Sequence, residues 1–563
     1  MKYRLIIIYA FLAFLFSACE DLSQDFTVTL RGDEVTRSYD YTKYRAIAVY
    51  TELPNGFEYI DGAMLASATD DAEHAIETSA IQDFNTGNWN MVYNPDDVWQ
   101  HYYQAIRKAN QFLVSADSVD LETYRVDPDP GAQEVYQGRL NEIENWKVEV
   151  RLLRAYFYFE LVKRYGGVPL VTELTDLETD YSNINRTSLD SCIQFIVDEC
   201  DYAAEELPSS YGDSDLGRVT AGAALAIKSR VLLYAASDLF NNDSWTSGYQ
   251  NPELVTLSGD RNAKWKAAAD AAFDLIQTGS YSLSTSYPDI FGSEGYLNNE
   301  VILARRNGAS NSFEKMSAPP GYDLGQGGTN PSQDLVDAYQ MRDGSDFDWN
   351  DPEMAEDPYK RRDPRLHFTI LVNDRYYKGR PVEIWTGGLD GKGTFRASKT
   401  GYYLKKYVNS SLDLLQDRTS VHTWVLIRLA EVYLNYAEAL NEYDPGNPAI
   451  ATYVNRVRSR QDVNMPDIPE GLSQDEMREI IRNERRVELA FEGHRFWDVR
   501  RWMEAENIFG QPLRGLEITK DGEDFNYNVI SVENRAFSPK MYLYPIPQSE
   551  LNINNQWVQN PLW

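Results

Sequence analysis

The chain has 563 residues, 43% of them hydrophobic, and a formal net charge of −32. This length and apolar content support a large core, and the charge argues against nucleic acid and anionic lipid as partners, because both repel a polyanion. Beyond the first residues, no apolar run approaches the ~20 residues that a hydrocarbon core requires, so nothing later in the chain reads as a membrane span.

The chain opens on Lys2 and Arg4, an apolar stretch over residues 5–16, and Ser17-Ala18-Cys19. About twelve apolar residues are too few to span, and the pattern reads as a secretory signal peptide of residues 1–18. Small residues before a cysteine resemble the lipobox of bacterial lipoproteins, in which the cysteine is acylated and becomes the mature N-terminus. Cys19 is therefore the expected lipidation site. Glu20 and Asp21 resemble the acidic tag that sends Bacteroidota lipoproteins to the outer face of the cell. Removing Lys2 and Arg4 with the signal makes the net charge −32 − 2 = −34. Residues 19–40 are polar and read as a tether, leaving residues 41–563 as one domain.

Helical segments then arrive in pairs. Residues 98–114 repeat apolar side chains at three and four. Residues 146–165 do the same and end at Gly166-Gly167, which can take a left-handed cap, and Pro169, which forbids continuation. Residues 187–207 supply the antiparallel mate. Cys192 and Cys200 within it would lie about 12 Å apart on a helix, too far for a disulfide, and read as small buried hydrophobes. Residues 220–240 carry Ala221, Gly222, Ala223, Ala224 and Ala226, small enough for close helix approach, with residues 265–276 as the expected neighbour. Residues 429–443, a turn at Asp444-Pro445-Gly446-Asn447-Pro448 and residues 449–460 make a helix pair of tetratricopeptide type, with Tyr433 and Ala437 at packing positions. A last helix is expected over residues 474–503. The fold class is mainly α: a tetratricopeptide-like solenoid of about four helix pairs over residues 41–280 and 424–563.

Between these blocks the composition changes. Residues 291–401 hold 14 of the chain's 34 glycines, with short β-like runs at 301–304, 368–372 and 402–407. A stretch this long needs structure of its own, and residues 281–423 read as a loop-rich lobe on the helical scaffold, the kind of place where binding residues gather.

Taken together, the segments resemble one family over nearly the whole chain, the SusD/RagB outer-membrane nutrient-binding lipoproteins. The residues that carry this are 149–170 (EVRLLRAYFYFELVKRYGGVPL), 217–241, 332–344 (SQDLVDAYQMRDG), Arg362-Asp363-Pro364-Arg365, 429–441, 484–502 (ERRVELAFEGHRFWDVRRW), and the closing Tyr544-Pro545-Ile546-Pro547 and Gln559-Asn560-Pro561. The resemblance implies a helical scaffold with an irregular lobe, sitting as a lid over a TonB-dependent barrel of the SusC type. It implies capture of oligosaccharides, less often peptides, and delivery to that barrel. The scaffold's other face, built partly by the terminal helices, would close on the barrel.

Catalysis has no local signature. The 86 acidic residues single out no carboxylate pair, no G-x-S-x-G occurs, and the five histidines have no evident nucleophile. Asp346, Asp348, Asn350, Asp351 and Asp357 imitate a calcium loop, but its sixth position is Asp351 instead of glycine and Pro352 follows, which reads as a solvated acidic turn. No cofactor or metal is expected. The arginines of residues 478–501 alternate with glutamates at three- and four-residue offsets and read as exposed ion pairs and packed stems. Sugar recognition needs flat rings beside carboxylate, amide or imidazole groups. Off the helices two clusters offer this: Asp70, Asp71, His74 and Trp89, and, across the lobe, Tyr287, Tyr296, Phe313, Tyr322 and Trp385. In members of the resembled family the segment around Thr69-Asp70-Asp71 contributes binding residues. Trp89→Ala or Tyr322→Ala is expected to weaken glycan binding and leave the melting temperature near wild type. Peptide or protein capture by the same kind of importer subunit is the alternative, and a surface hydrolase the remote one.

Overall fold

The computed structural model describes residues 32–175 and 179–563; the signal peptide, Cys19 and the Glu20-Asp21 pair lie outside them. Helix begins at Gly32–Arg37, followed by α1 (Tyr39–Tyr50), which the Ser38 side chain caps. The fold thus starts within the stretch read as tether, and the Tyr39 ring already packs 5.2 Å from that of Trp146.

The scaffold consists of α2 (Trp99–Ser115), α3 (Pro130–Tyr165), α4 (Leu189–Glu206), α5 (Ala221–Ala236), α6 (Arg261–Gln277), α7 (Leu429–Tyr443), α8 (Pro448–Arg458), α9 (Gln474–Glu488) and α10 (Arg495–Arg501). From α3 to α8 each helix packs on the next, while α1 and α2 lie against α3 and α9 against α7. That is a solenoid. The small residues of α5 meet α6 as expected, burying Leu233, Ala236, Trp265, Ala268 and Ala269 in one cluster. Among the described residues no helix is long and apolar enough to cross a membrane.

The α3 helix runs 36 residues, roughly 54 Å at ~1.5 Å per residue. Its first turns escape apolar periodicity because Ile143 is their single buried residue; what starts them is Asp129, whose side chain accepts from the Gly131 and Ala132 amides, with Pro130 next. At the other end Gly166 adopts φ +74°, and a Cβ there would lie 2.4 Å from the Leu254 carbonyl oxygen. Gly166→Ala should therefore lose about 1–3 kcal/mol in urea unfolding. An unchanged midpoint would mean that the 252–255 turn yields.

The lobe is an excursion between α6 and α7, two helices that themselves pack together. Its ends are zipped by β2 (Val301–Arg306) against β6 (Thr423–Arg428), antiparallel. Further pairs are β1 (Ala72–His74) with β3 (Thr329–Pro331), and β4 (Ile370–Leu371) with β5 (Tyr403–Leu404). A hairpin of β7 (Leu513–Asp521) and β8 (Asp524–Glu533) was not expected from the sequence. Asp521-Gly522, with Gly522 at φ +63°, is its turn signal.

The expected helix over 474–503 is two helices. It stops at Glu488 because side chains take the carbonyls of its last turn: Arg428 Nη2 and Tyr287 Oη donate to the Glu488 oxygen at 2.8 and 2.7 Å, and Lys406 Nζ donates to that of Ala490 at 2.8 Å. Phe491 and Gly493 then turn at positive φ before α10 resumes.

The charges expected on the surface of these helices are largely inside. At the root of the lobe, Glu488 accepts from Arg428, Arg460 and Arg365 at 2.7–2.8 Å. Glu300 accepts from Arg428 and Arg460, Glu492 from Arg428 and Lys406, Glu484 from Arg365 and Arg458, and Asp363 from Arg365. Five cations meet five carboxylates, all with side chains at most 6% exposed. The lattice is neutral, so the chain's acidic excess resides elsewhere.

Candidate ligand-binding face of the loop-rich lobe

Asp70 and Asp71 follow a short helical turn, Leu65–Ala68, and meet the C-terminal helices. Asp70 accepts from Arg495 at 2.8 and 2.9 Å and is ion-paired with Arg486 Nη2 at 2.7 Å; Asp71 accepts from Arg486 Nε at 2.8 Å. Burial pushes the Asp70 carboxyl up, but the Arg486 and Arg495 guanidiniums outweigh it and hold it well below the usual carboxylate range. Burial raises Asp71. These acids are a clamp between the N-terminal loop and α9–α10, and Asp71 is buried, its Oδ2 without a hydrogen-bond partner among the described residues. Trp89 is also core, 2% exposed, with the rings of Phe84, Tyr544 and Trp563 at 5.1, 5.2 and 4.8 Å. Tyr287 is fully buried and bonded to the α9 terminus, and Phe313 is buried 4.8 Å from Phe57. For Asp71, Trp89, Tyr287 and Phe313 the expectation of a ligand contact is corrected: long-range packing encloses them.

Of the other five, Asp70 belongs to the clamp just described. Tyr296 is half-buried in the wall of a cleft of about 750 Å³, with Arg306 4.7 Å over its ring. Trp385 is half-buried against Phe525 of the β7–β8 hairpin at 5.5 Å, with Lys520 4.4 Å over it. His74, on β1, is enclosed, and burial with help from Arg396 lowers its pKa to about 4, so the imidazole is neutral at neutral pH. Tyr322 is half-buried and donates to the Tyr377 and Arg380 carbonyls at 3.0 and 3.2 Å.

The structure does connect His74 to Tyr322. A turn closed by the Gly325 amide on the Tyr322 oxygen delivers Gln326, whose Oε1 accepts from Arg396 Nη1 at 2.5 Å. Arg396 in turn lies within electrostatic reach of His74. On the other side Arg380 sits 3.8 Å over the Tyr322 ring and is pinned by Asp390 at 2.6 and 3.0 Å. Arg396 lies 5.3 Å over the ring of Phe395, which is 82% exposed, and Tyr376, 75% exposed, is within electrostatic reach of Tyr322; Leu324 and Leu389 are exposed as well. Exposed rings, two oriented guanidiniums and a primary amide are a set that can take the C–H face and hydroxyl edge of a sugar.

Comparison with known proteins adds to this geometry. A model of the SusD family matches residues 297–563, and one described as "starch-binding associating with outer membrane" matches residues 56–233. The chain belongs to the SusD/RagB family. It is 24% identical to a SusD-like protein of Formosa agariphila, over 98% of this chain and 97% of that one. A SusD-like protein of Bacteroides fragilis superposes with a TM-score of 0.77 at 27% identity, covering 95% of this chain and 99% of that one. A SusD-like carbohydrate-binding protein of the same organism gives 0.76 at 26%, covering 92% and 99%. The solenoid with its inserted lobe is thus the SusD fold.

Within this SusD-family chain, sequence reasoning reached Tyr322 and passed over Gln326, Tyr376, Arg380, Phe395 and Arg396. A signal existed for Phe395: a lone ring after Gly391-Lys392-Gly393-Thr394 has no apolar periodicity to hide it. For the guanidiniums none existed. The calcium-like loop is a capped turn, in which Asp351 accepts from the Glu353 and Met354 amides.

Proposed function

We propose that the chain is the glycan-capturing subunit of an outer-membrane importer. It is anchored through a lipid on Cys19, faces outward, and passes ligand to a TonB-dependent SusC-type barrel without cleaving it. The observation that carries the reading is the lobe face, where Tyr376 and Phe395 stand exposed beside Tyr322, Arg380, Gln326 and Arg396. The family model's association with starch and the outer membrane supports it, as does the likeness to a SusD-like carbohydrate-binding protein. A binding role without catalysis also fits the carboxyls. Glu73, which burial pushes up to about 7, is fully enclosed beside Lys399, where no substrate bond can reach it.

The test is a native-gel screen of the soluble chain beginning after Cys19 against neutral and charged polysaccharides, with reducing ends assayed alongside. Retardation by one polymer without new reducing ends is expected. Phe395→Ala and Tyr376→Ala should each weaken it by about 1 kcal/mol, roughly five-fold, with unchanged melting temperature. Retardation only by oligopeptides, or new reducing ends, would replace the glycan reading.

A further inference from the structure

A different cavity, of about 620 Å³, opens in the lobe where the 405–411 loop faces Phe368 and His422. Among the described residues no Asp or Glu lines it, although the chain carries 86 acidic residues against 54 Lys and Arg. Three other cavities each present a carboxylate, among them Glu160, Glu550 and Glu149. What lines this one instead is Lys405 and Lys406.

Lys406 is spent: its Nζ donates to Glu492, Tyr287 and Ala490 at 2.7–2.8 Å. Lys405 is exposed, and its Nζ donates at 2.6 Å to the His367 carbonyl, with no carboxylate in ion-pair range among the described residues. Arg375 is placed alike, its Nη2 lying 3.2 Å from His367 Nε2. The two cations are both held at His367, one on its carbonyl oxygen and one beside its ring. Like charges brought together without a counter-charge are a cost that an anion removes. Two buried carboxylates pair with residues of the lining, Glu314 through Oε1 with His422 at 2.7 Å and Glu492 with Lys406, which it shares with Arg428. Ser410 and Ser411 supply hydroxyls at the rim, and the half-buried Phe368 ring is held by stacking on Tyr287 at 6.1 Å. The volume is in the range of small-ligand sites.

We infer that this cavity is a second sugar site, selective for a pyranose that bears a carboxylate or sulfate group. Lys405 meets the anion, Arg375 reinforces its field, Phe368 takes the ring face, and the serines take hydroxyls. The inference rests on the glycan reading above but uses none of the lobe-face residues, so the two can fail separately.

The experiment is calorimetric titration of the detergent-solubilised mature protein with trigalacturonate, sulfated galactotriose and neutral galactotriose, at low and high salt. Binding of at least one anionic trisaccharide, at least ten-fold tighter than the neutral one and weakened by salt, is expected; which of the two binds decides between uronate and sulfate. Lys405→Gln combined with Arg375→Gln should remove that preference. Equal binding of all three sugars, no binding of either anionic one, or a preference that survives the double substitution overturns the inference. Retained retardation of a neutral polymer in the native gel would then leave the lobe-face reading standing.

Discussion

Glu488→Ala is expected to destabilise the protein by about 3–5 kcal/mol, the cost of leaving buried guanidiniums without their shared carboxylate. Glu488 joins Arg365, Arg428 and Arg460, which come from the lobe, its exit strand β6 and the segment after α8. Its loss should loosen the lobe root as well as lower the urea midpoint. Glu479→Ala, one turn from the same lattice but 74% exposed, should stay within about 0.5 kcal/mol. Equal effects of the two would show that the lattice contributes nothing beyond surface pairing.

Buried carboxylates elsewhere in the scaffold shape the response to acid. Burial pushes Glu160 and Glu431 up, but Lys163 and Arg164 around the first, and Arg230 and His494 around the second, hold both at about 2. A folded pKa below the unfolded one, about 4.3, contributes stability that is fully present above the unfolded value. It is lost as pH falls through the folded one. His74, His367 and His494, held at about 4 by burial, stay neutral where unfolded histidines protonate, and Glu73, pushed up to about 7, acts the other way. Unfolding free energy should therefore begin to decline below about pH 6.5 and fall steeply from about 4.3 towards 2. A urea midpoint that stays constant down to pH ~2 would contradict this linkage.

Trp89→Ala is the second large effect. Removing a ring that is 2% exposed and packed on Phe84, Tyr544 and Trp563 should cost about 3–5 kcal/mol. Per folded molecule, glycan binding should be unchanged. Phe395→Ala should do the reverse, as its ring is 82% exposed. Had Trp89 been a ligand platform, its removal would have spared the melting temperature. A thermal scan beside the native-gel assay separates the two roles in one pair of variants.

The helical scaffold was legible because periodicity at three and four residues records contacts made within the segment that carries it. The pairing of α5 with α6, the turn before α8 and the glycine-rich excursion between two scaffold blocks could all be read this way, and the ordered motifs brought the family with them. The polar start of α3 was not legible, since a helix held by a cap and by solvent leaves no apolar stripe. Nor was the stop at Glu488, where the carbonyls go to Arg428, Tyr287 and Lys406 from distant parts of the chain.

The site divided along the same line. An aromatic residue off a helix reads alike in sequence whether it is a ligand platform or a core ring. Only partners hundreds of residues away decide which, as Trp563 does for Trp89 and as Arg495 does for Asp70. Local chemistry is written in neighbouring residues. Exposure is a property of the packed whole, set by contacts whose sequence separation leaves no periodic trace.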